Sequence, residues 1–183
     1  ARQSLVRDPV FEGLLESRAF RAARRLLDLG CGRGVVAAVV AGTDEGFAEG
    51  RSYVGVDVSE RHVRAAREAL HDVGGASFVA ADLRDFDPPA ADFVLLLDVL
   101  RFLPSSSQDA LLRRLGRAVP PGAILLVREI DAGAGIRFRL AEIRYLLSSL
   151  LPGRSHRGFH FRRAADLRNA LTAAGFEVRD RPT

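Results

Sequence analysis

The stretch LLDLGCGRGVVA, residues 26–37, sets three glycines on alternate positions directly behind an apolar run that contains Asp28. The run at 26–29 is typical of a short buried strand in a parallel sheet, and the small apolar residues at 35–40 predict a helix. The glycines therefore lie in a turn that leads from a strand into a helix. A turn with so few side chains leaves its backbone accessible.

Gly30, Gly32 and Gly34 allow backbone angles that other residues avoid, and they let a ligand approach the main chain closely. The start of the following helix offers N–H groups that have no partner within the helix. Cys31 lies inside the turn, where a small residue is needed, so packing explains it better than catalysis does. The turn indicates a binding site for a nucleotide-like cofactor.

Strands and helices alternate along the rest of the chain. Further strands are predicted within residues 52–59 (ending at Asp57), 76–82, 92–100, 123–131 and 176–178. Helices are predicted at 9–18, 35–40, 60–70 behind the cap Ser59, 108–119 behind the caps Ser105 to Ser107, 136–150 and 167–175. Because parallel neighbours need crossover helices, the pattern predicts an α/β fold with a doubly wound, mostly parallel sheet and helices on both faces.

Three aspartates follow predicted strands. Asp57, Asp82 and Asp98 lie at or near the carboxyl ends of the second, third and fourth strands. Ligands of doubly wound sheets bind at these ends, near the point where the strand order reverses. We therefore expect the three carboxylates to lie beside the glycine turn.

The spacing of the glycines separates two cofactor classes. The dinucleotide fingerprint G-x-G-x-x-G requires glycine at position 35, where this chain has Val35. A pyrophosphate would also be repelled by Asp28, whereas a ligand with positive charge would be attracted. S-adenosylmethionine carries a sulfonium and an ammonium group and no phosphate. The turn therefore favours that cofactor over NAD, and a nicotinamide-dependent oxidoreductase is the less favoured alternative.

Three motifs in order resemble those of the class I S-adenosylmethionine-dependent methyltransferases. They are DLGCGRG at 28–34, VGVDVSERHVRAARE at 54–68 and VAADLRDF at 79–86. The resemblance runs from about residue 9 to the end of the chain. It implies a Rossmann-like fold and transfer of the cofactor's methyl group. It also implies a single methyltransferase domain over 1–183, and we expect its N-terminal start and a C-terminal closing strand to lie outside the given residues.

The resemblance assigns cofactor-binding roles to matching positions. Asp28 and the turn backbone would hold the methionine portion, and Asp57 would accept both ribose hydroxyls with its two oxygens. Val58 would pack on the adenine, while Asp82 would take its amino group. The complete set of expected cofactor-binding residues is Asp28, Gly30, Cys31, Gly32, Gly34, Asp57, Val58, Asp82, Leu83 (through its N–H) and Asp98, the last in the stretch that flanks the transferred methyl.

Composition excludes several classes of protein. All 27 basic residues are arginines, and with 23 acids they give a net charge of +4, but they are scattered and form no basic block. Nucleic acid is therefore not the expected partner. No apolar stretch approaches the roughly twenty residues of a membrane span, and we expect no signal peptide. We expect a cytoplasmic bacterial protein with no metal site, since a single cysteine provides neither a disulfide nor a two-cysteine metal clip.

The methyl acceptor is identified mainly by exclusion. The chain lacks the Asp-Pro-Pro-aromatic run of amino-directed nucleic-acid methyltransferases, the lysines of ribose methyltransferases, a nucleophilic cysteine outside the cofactor turn, and the two-glutamate loop of arginine methyltransferases. A small-molecule acceptor remains, with O-methylation favoured. An RNA acceptor, motivated by the pI of about 10.4, and a non-catalytic cofactor-binding scaffold stay as alternatives.

Several charged residues are expected to face the acceptor. They are Arg101, Arg128, Glu129, Asp131, His160 and Arg162, with Arg101 and His160 as candidate catalytic residues. His156 is a further candidate, whereas His62 and His71 belong to a predicted helix surface. An arginine pair in this place would orient a carboxylate or a phenolate.

Overall fold

The computed structural model describes residues 9–43, 46–47, 50–133 and 158–180. The helices are α1 (Pro9–Glu16), α2 (Arg18–Ala22), α3 (Val35–Ala41), α4 (Glu60–Ala69), a 3₁₀ helix (Leu100–Phe102), α5 (Ser105–Ala118) and α6 (Ala164–Ala173). The strands are β1 (Arg25–Leu29), β2 (Ser52–Asp57), β3 (Ala76–Ala80), β4 (Phe93–Leu97) and β5 (Ile124–Arg128). Four of these strands lie inside segments that the sequence predicts to be extended, and β1 begins one residue before its predicted run at 26–29.

The five strands form one parallel sheet in the order β3-β2-β1-β4-β5. The order reverses between β1 and β4, which are the two neighbours at the centre of the sheet. Leu29 pairs with Val56, and Leu97 pairs with Arg128, so the strands end close together at one edge. The predicted parallel α/β fold is confirmed, and the reversal point lies beside the glycine turn.

Both faces of the sheet are covered. Successive strand residues point to opposite faces, and β1 divides its side chains accordingly. Leu26 packs in a core with Tyr53 and Phe78, whereas Leu27 packs in a second core on the other face. Because β1 is covered on both sides, its run of apolar residues has no exposed face, as expected for a central parallel strand.

The C-terminal segment differs from its prediction. Residues 176–178 form no strand, although Phe176 and Val178 pack partly buried against the second core. A strand requires a neighbour with which to exchange backbone hydrogen bonds, and no described strand pairs with this segment. Apolar composition fixes its packing but does not by itself produce a strand.

Two smaller predictions have different outcomes. The sequence predicts serine caps at the start of α5, but Pro104 occupies the cap position. Ser105 and the two serines that follow it lie in the first turn of the helix instead. The cap of α4 is as predicted, because the Ser59 side chain accepts the N–H of His62 at 3.4 Å. The helix predicted at 136–150 lies outside the described residues. In the described part of the chain, no helix is long and apolar enough to cross a bilayer.

Candidate cofactor and acceptor site

The glycine turn is held by backbone hydrogen bonds on one side and by the side chain of Val99 on the other. Its three glycines have φ angles of 84°, 54° and 76°, in the left-handed region that other residues rarely adopt. The N–H groups of Gly30 and Cys31 both donate to the carbonyl of Val56, at 2.7 and 3.0 Å. A Cβ on Gly30 would lie 2.1 Å from a methyl of Val99. The turn is therefore held between β2 and the segment that follows β4.

Gly32 is the open point of this turn. A Cβ built on it meets no atom within 4 Å, in contrast to Gly30. Its N–H donates to Oδ2 of Asp57 at 3.0 Å. Cys31 beside it is buried, and burial raises the pKa of its thiol, so the thiol has the inert character expected of a packing residue. A ligand can reach the backbone at Gly32 without displacing a side chain.

Asp57 lies at the end of β2 and points toward the turn. Its Oδ1 accepts the N–H of Ser59 at 2.8 Å, and its Oδ2 accepts that of Gly32. The ring nitrogen Nδ1 of His62 lies 3.4 Å from Oδ1, a neighbour that sequence reasoning assigned only to a helix surface. A carboxylate offers about four acceptor positions, so it retains capacity for two hydroxyls after these backbone bonds.

The residues expected around an adenine are only partly available. Val58 is 70% exposed, which is unusual for a large apolar residue and leaves a surface on which a ring could pack. Asp82 is paired with Arg84, whose guanidinium lowers the pKa of that carboxyl. Leu83 is buried, and its carbonyl accepts from Arg114 at 2.6 Å. Asp82 therefore already has a cationic partner on its own loop.

Asp28, predicted to hold the methionine portion directly or through water, is a buried residue of β1. Its side chain is 2% exposed and accepts the hydroxyl of Tyr53 at 2.5 Å. The pKa of this carboxyl is raised to about 7. Burial is the main cause, the charge of Asp57 also raises the pKa, and the Tyr53 hydrogen bond lowers it. Near neutral pH the group is therefore protonated in a large fraction of molecules. From the sequence, Asp28 is expected to carry a full negative charge beside the turn. In the structure its carboxyl is buried and titrates near neutrality.

The raised pKa of Asp28 makes a pH-dependent contribution to stability. Between about pH 4 and pH 7 the folded chain keeps a proton that the unfolded chain has lost, so the free energy of unfolding falls as the pH rises. Asp28→Asn keeps an acceptor for Tyr53 and has no proton to lose. We expect the variant to gain stability relative to the wild type by about 1 kcal/mol per pH unit across this range.

Urea unfolding of the two proteins at pH 5, 6, 7 and 8 measures this difference. Carboxyls whose pKa is lowered, such as Asp82 and Asp92, act below this range and are common to both proteins. A difference that stays constant from pH 5 to pH 7 would contradict the raised pKa.

A charged cluster lies next to the turn, at the end of β4. Asp98 has a φ of 61°, the one positive value among the described residues other than glycine. Its carboxylate bridges the guanidinium groups of Arg101 and Arg128, and its N–H donates to the carbonyl of Arg128 at 2.8 Å. Arg101 is 1% exposed. Asp98 thus has a structural role in joining two arginines, in addition to the cofactor contact expected from the sequence.

The residues predicted to face an acceptor converge on one small cavity of about 70 Å³. Its charged and polar lining comprises Arg101, Gln108, Glu129, Asp131, His160 and Arg162. Of the predicted set, only Arg128 is not among the lining residues, and it pairs with Asp98 instead. His156 lies outside the described residues. Five of the six predicted residues, although far apart in the chain, therefore lie around one cavity in the fold.

Gln108 is a lining residue that sequence reasoning missed. It is 1% exposed, and its amide nitrogen lies 2.9 Å from the carbonyls of Leu100, Leu103 and His160. The N–H of His160 donates to the carbonyl of Arg101 at 2.7 Å. One signal was available, because Gln108 is a polar residue on the apolar side of α5. The bonds fix the segment around His160 against the 3₁₀ helix.

Comparisons with known proteins identify the family to which the chain belongs. A family model described as a methyltransferase domain matches residues 3–180. The ubiquinone biosynthesis O-methyltransferase of Pseudomonas aeruginosa (strain LESB58) is 29% identical over 182 residues, which covers 94% of this chain and 73% of that protein. The carboxy-S-adenosyl-L-methionine synthase of Chromohalobacter salexigens is 33% identical over 122 residues, which covers 64% of this chain and 44% of that protein.

A solved structure extends the comparison to three dimensions. An O-methyltransferase from neocarzinostatin biosynthesis, in complex with S-adenosylmethionine and 2-hydroxy-5-methyl naphthoic acid, matches with a TM-score of 0.65 and 27% identity. The match covers 87% of this chain and 45% of that one. The chain thus spans less than half the length of two of these three proteins. The expectations of a Rossmann-like fold and of S-adenosylmethionine as the cofactor are confirmed. The chain belongs to the methyltransferase domain family, the class I S-adenosylmethionine-dependent methyltransferases.

Proposed function

We propose that the chain transfers the methyl group of S-adenosylmethionine to a hydroxyl of a small molecule. The residues present fit the cofactor, because the backbone at Gly32 is open, Val58 is exposed and Asp57 keeps acceptor capacity. The turn backbone and Asp57 would hold the methionine portion and the ribose. The cofactor supplies a methyl carbon bound to a positively charged sulfur, which a nucleophile can attack directly.

Cofactor-binding roles follow for the remaining members of the site. Val58, the Leu83 N–H and Asp82 would contact the adenine, with Asp82 exchanging part of its Arg84 pairing for the amino group. Gly30 and Gly34 shape the turn, because a Cβ at either would meet a neighbour within 3.0 Å. Asp28 would act through the turn that follows it, since its buried carboxyl has no exposed surface to offer. Cys31 would contribute only its backbone.

The small, charged cavity is the observation that carries the acceptor class. It lies at the carboxyl ends of β4 and β5 and combines the buried Arg101 with Glu129 and His160. At about 70 Å³ it has room for only the reacting end of a small molecule. Methyl transfer needs little beyond alignment of the acceptor and removal of its proton. The O-methyltransferases among the relatives support the choice of oxygen.

A bacterial cytoplasmic location belongs to the same proposal. The relatives named above come from bacteria where an organism is given. The single cysteine is buried in the cofactor turn, so the described fold relies on no disulfide.

Radiolabelled methyl transfer tests the function. The full chain is incubated with S-adenosylmethionine carrying a labelled methyl group and with a panel of phenols, catechols, hydroxy acids and amines, in parallel with total RNA. We expect label on a hydroxyl of one member of the panel. Label on RNA and on no small molecule would establish the RNA alternative, and cofactor binding without any transfer would establish the scaffold alternative.

A further inference from the structure

Glu129 lies at the carboxyl edge of the sheet, directly after β5. Its chain neighbour Arg128 pairs with Leu97, and the N–H of Asp98 donates to the carbonyl of Arg128. Glu129 therefore stands two strand spacings, about 10 Å, from the end of β1. Val99, which follows Asp98, touches Gly30 of the cofactor turn. The carboxyl group and the cofactor turn thus border the same region from opposite sides.

The Glu129 carboxyl is buried with one oxygen unsatisfied. The side chain is 10% exposed, and its Oε1 has no hydrogen-bond partner among the described residues. Its Oε2 lies 3.6 Å from Nε of Arg101, which is an ion pair but too long for a hydrogen bond. A buried polar atom without a partner is costly and rare in native proteins. Glu129 is also one of the residues that line the cavity.

The charges around the carboxyl leave it a usable base. Burial raises its pKa, the guanidinium of Arg101 lowers it and the carboxylate of Asp98 raises it, while the backbone N–H groups of Leu100 and Arg101 lower it further. Other charged or titratable groups that line the same cavity are Asp131, His160 and Arg162. A general base works best when its pKa approaches the working pH. A buried glutamate that is held next to one arginine meets this condition better than an exposed carboxylate.

We propose that Glu129 is the proton acceptor in methyl transfer, taking the proton of the acceptor's hydroxyl on its carboxylate. The assignment rests on the proposed O-methyltransferase function. As the oxygen forms its bond to the methyl carbon, the bond between that carbon and the sulfonium sulfur breaks. The sulfur keeps the electron pair of that bond and becomes a neutral thioether, so the product is S-adenosylhomocysteine. The proton passes from the hydroxyl to the carboxylate, so no other reactant is needed.

His160 is the competing base on the same cavity. Its backbone is fixed on both sides, by the carbonyl of Arg101 and by the amide of Gln108. Glu129 is favoured because its buried Oε1 has no hydrogen-bond partner, whereas neither ring nitrogen of His160 is among the buried unpartnered atoms of the described residues. The two assignments are separable, since each residue can be replaced by glutamine.

The test compares kcat/KM for a phenolic substrate found in the panel and for its dinitro-substituted analogue, whose hydroxyl is ionised at neutral pH. In Glu129→Gln we expect kcat/KM for the parent substrate to fall about 100-fold to 1,000-fold. We expect it to fall less than tenfold for the dinitro analogue, which needs no base. The rise of kcat/KM with pH in the wild type should be absent from the variant. Glu177→Gln, at an exposed glutamate paired with Arg179, should match the wild type.

A second measurement reports the carboxyl without turnover. Infrared difference spectra of wild type minus Glu129→Gln, recorded against pH with S-adenosylhomocysteine bound, show the protonated carboxyl directly. We expect its midpoint above the ordinary value of a glutamate. Calorimetric titration with S-adenosylhomocysteine confirms that the variant is folded. If Glu129→Gln fails to fold, Glu129→Asp should retain the pH dependence with a shifted midpoint.

The outcomes separate this assignment from the proposed function. A wild type that binds S-adenosylhomocysteine but methylates no hydroxyl in the panel overturns both. A wild type that methylates a hydroxyl while Glu129→Gln keeps its rate and its pH profile overturns only the assignment. Loss of the pH dependence in His160→Gln, with its retention in Glu129→Gln, would transfer the role to His160.

Discussion

Gly30→Ala is expected to lower the free energy of unfolding by about 2 to 5 kcal/mol. The new methyl would lie 2.1 Å from Cγ2 of Val99 and 3.1 Å from Cγ1, and overpacking of this kind costs about 1 to 3 kcal/mol. The φ of 84° adds about 1 to 2 kcal/mol for a residue with a Cβ. The Cβ of Val99, which rotation of the side chain does not move, would also lie 3.2 Å from the new methyl. Urea unfolding followed by circular dichroism measures the change.

Gly32→Ala is the matched control at the same turn. Its φ is also positive, at 54°, but a Cβ there meets nothing within 4 Å. We expect a loss of about 1 to 2 kcal/mol in stability. Binding of S-adenosylhomocysteine should weaken at least tenfold, which is about 1.4 kcal/mol, because the added methyl occupies the space through which the ligand reaches the backbone. Equal destabilisation by the two substitutions, with unchanged affinity in Gly32→Ala, would contradict the open-turn geometry.

Asp57→Ala should weaken S-adenosylhomocysteine binding by about 2 to 4 kcal/mol. The substitution removes two charge-assisted hydrogen bonds to the ribose, and it also removes the acceptor that holds the N–H of Gly32. In terms of the dissociation constant, the loss is roughly 30-fold to 1,000-fold. Isothermal titration calorimetry of the wild type and the variant measures it directly.

Two further variants identify the source of the loss. Asp72→Ala replaces an aspartate whose side chain is 86% exposed and should leave the affinity unchanged. Asp57→Asn keeps one oxygen for Gly32 or Ser59 but loses the charge, so its affinity should fall between those of the wild type and Asp57→Ala. An Asp57→Ala protein that is folded and binds S-adenosylhomocysteine as tightly as the wild type would remove the ribose assignment.

The order of the elements could be predicted because the strands carry apolar runs and glycine or proline interrupts the pattern at several of the connections between elements. The placement of Asp57 followed from this, since a residue at the end of a parallel strand reaches the carboxyl edge whatever the details of packing. The strand at 176–178 could not be decided in the same way. Its residues are apolar, but a strand depends on a neighbour that local sequence does not specify.

The orientation of Asp28 shows a second limit. Asp28 alternates with Leu27 and Leu29 along β1, so its side chain lies on the opposite face of the sheet from theirs. Both faces of a central strand are covered, so this pattern does not reveal which residue Asp28 contacts. Tyr53, the partner, lies 25 residues away on β2. The same holds for the bridge from Asp98 to Arg128 and for the contacts of Gln108, which depend on the order of the strands and on the return of the chain to the 3₁₀ helix.

The central claim is that the turn around Gly32, together with Asp57, forms the binding site for S-adenosylmethionine. Parallel calorimetric titrations of the full chain with S-adenosylhomocysteine and with NAD test it most directly. We predict one molecule of S-adenosylhomocysteine bound per chain, with affinity lost in Asp57→Ala, and no heat of binding with NAD. Saturable binding of NAD, with none of S-adenosylhomocysteine, would contradict the account.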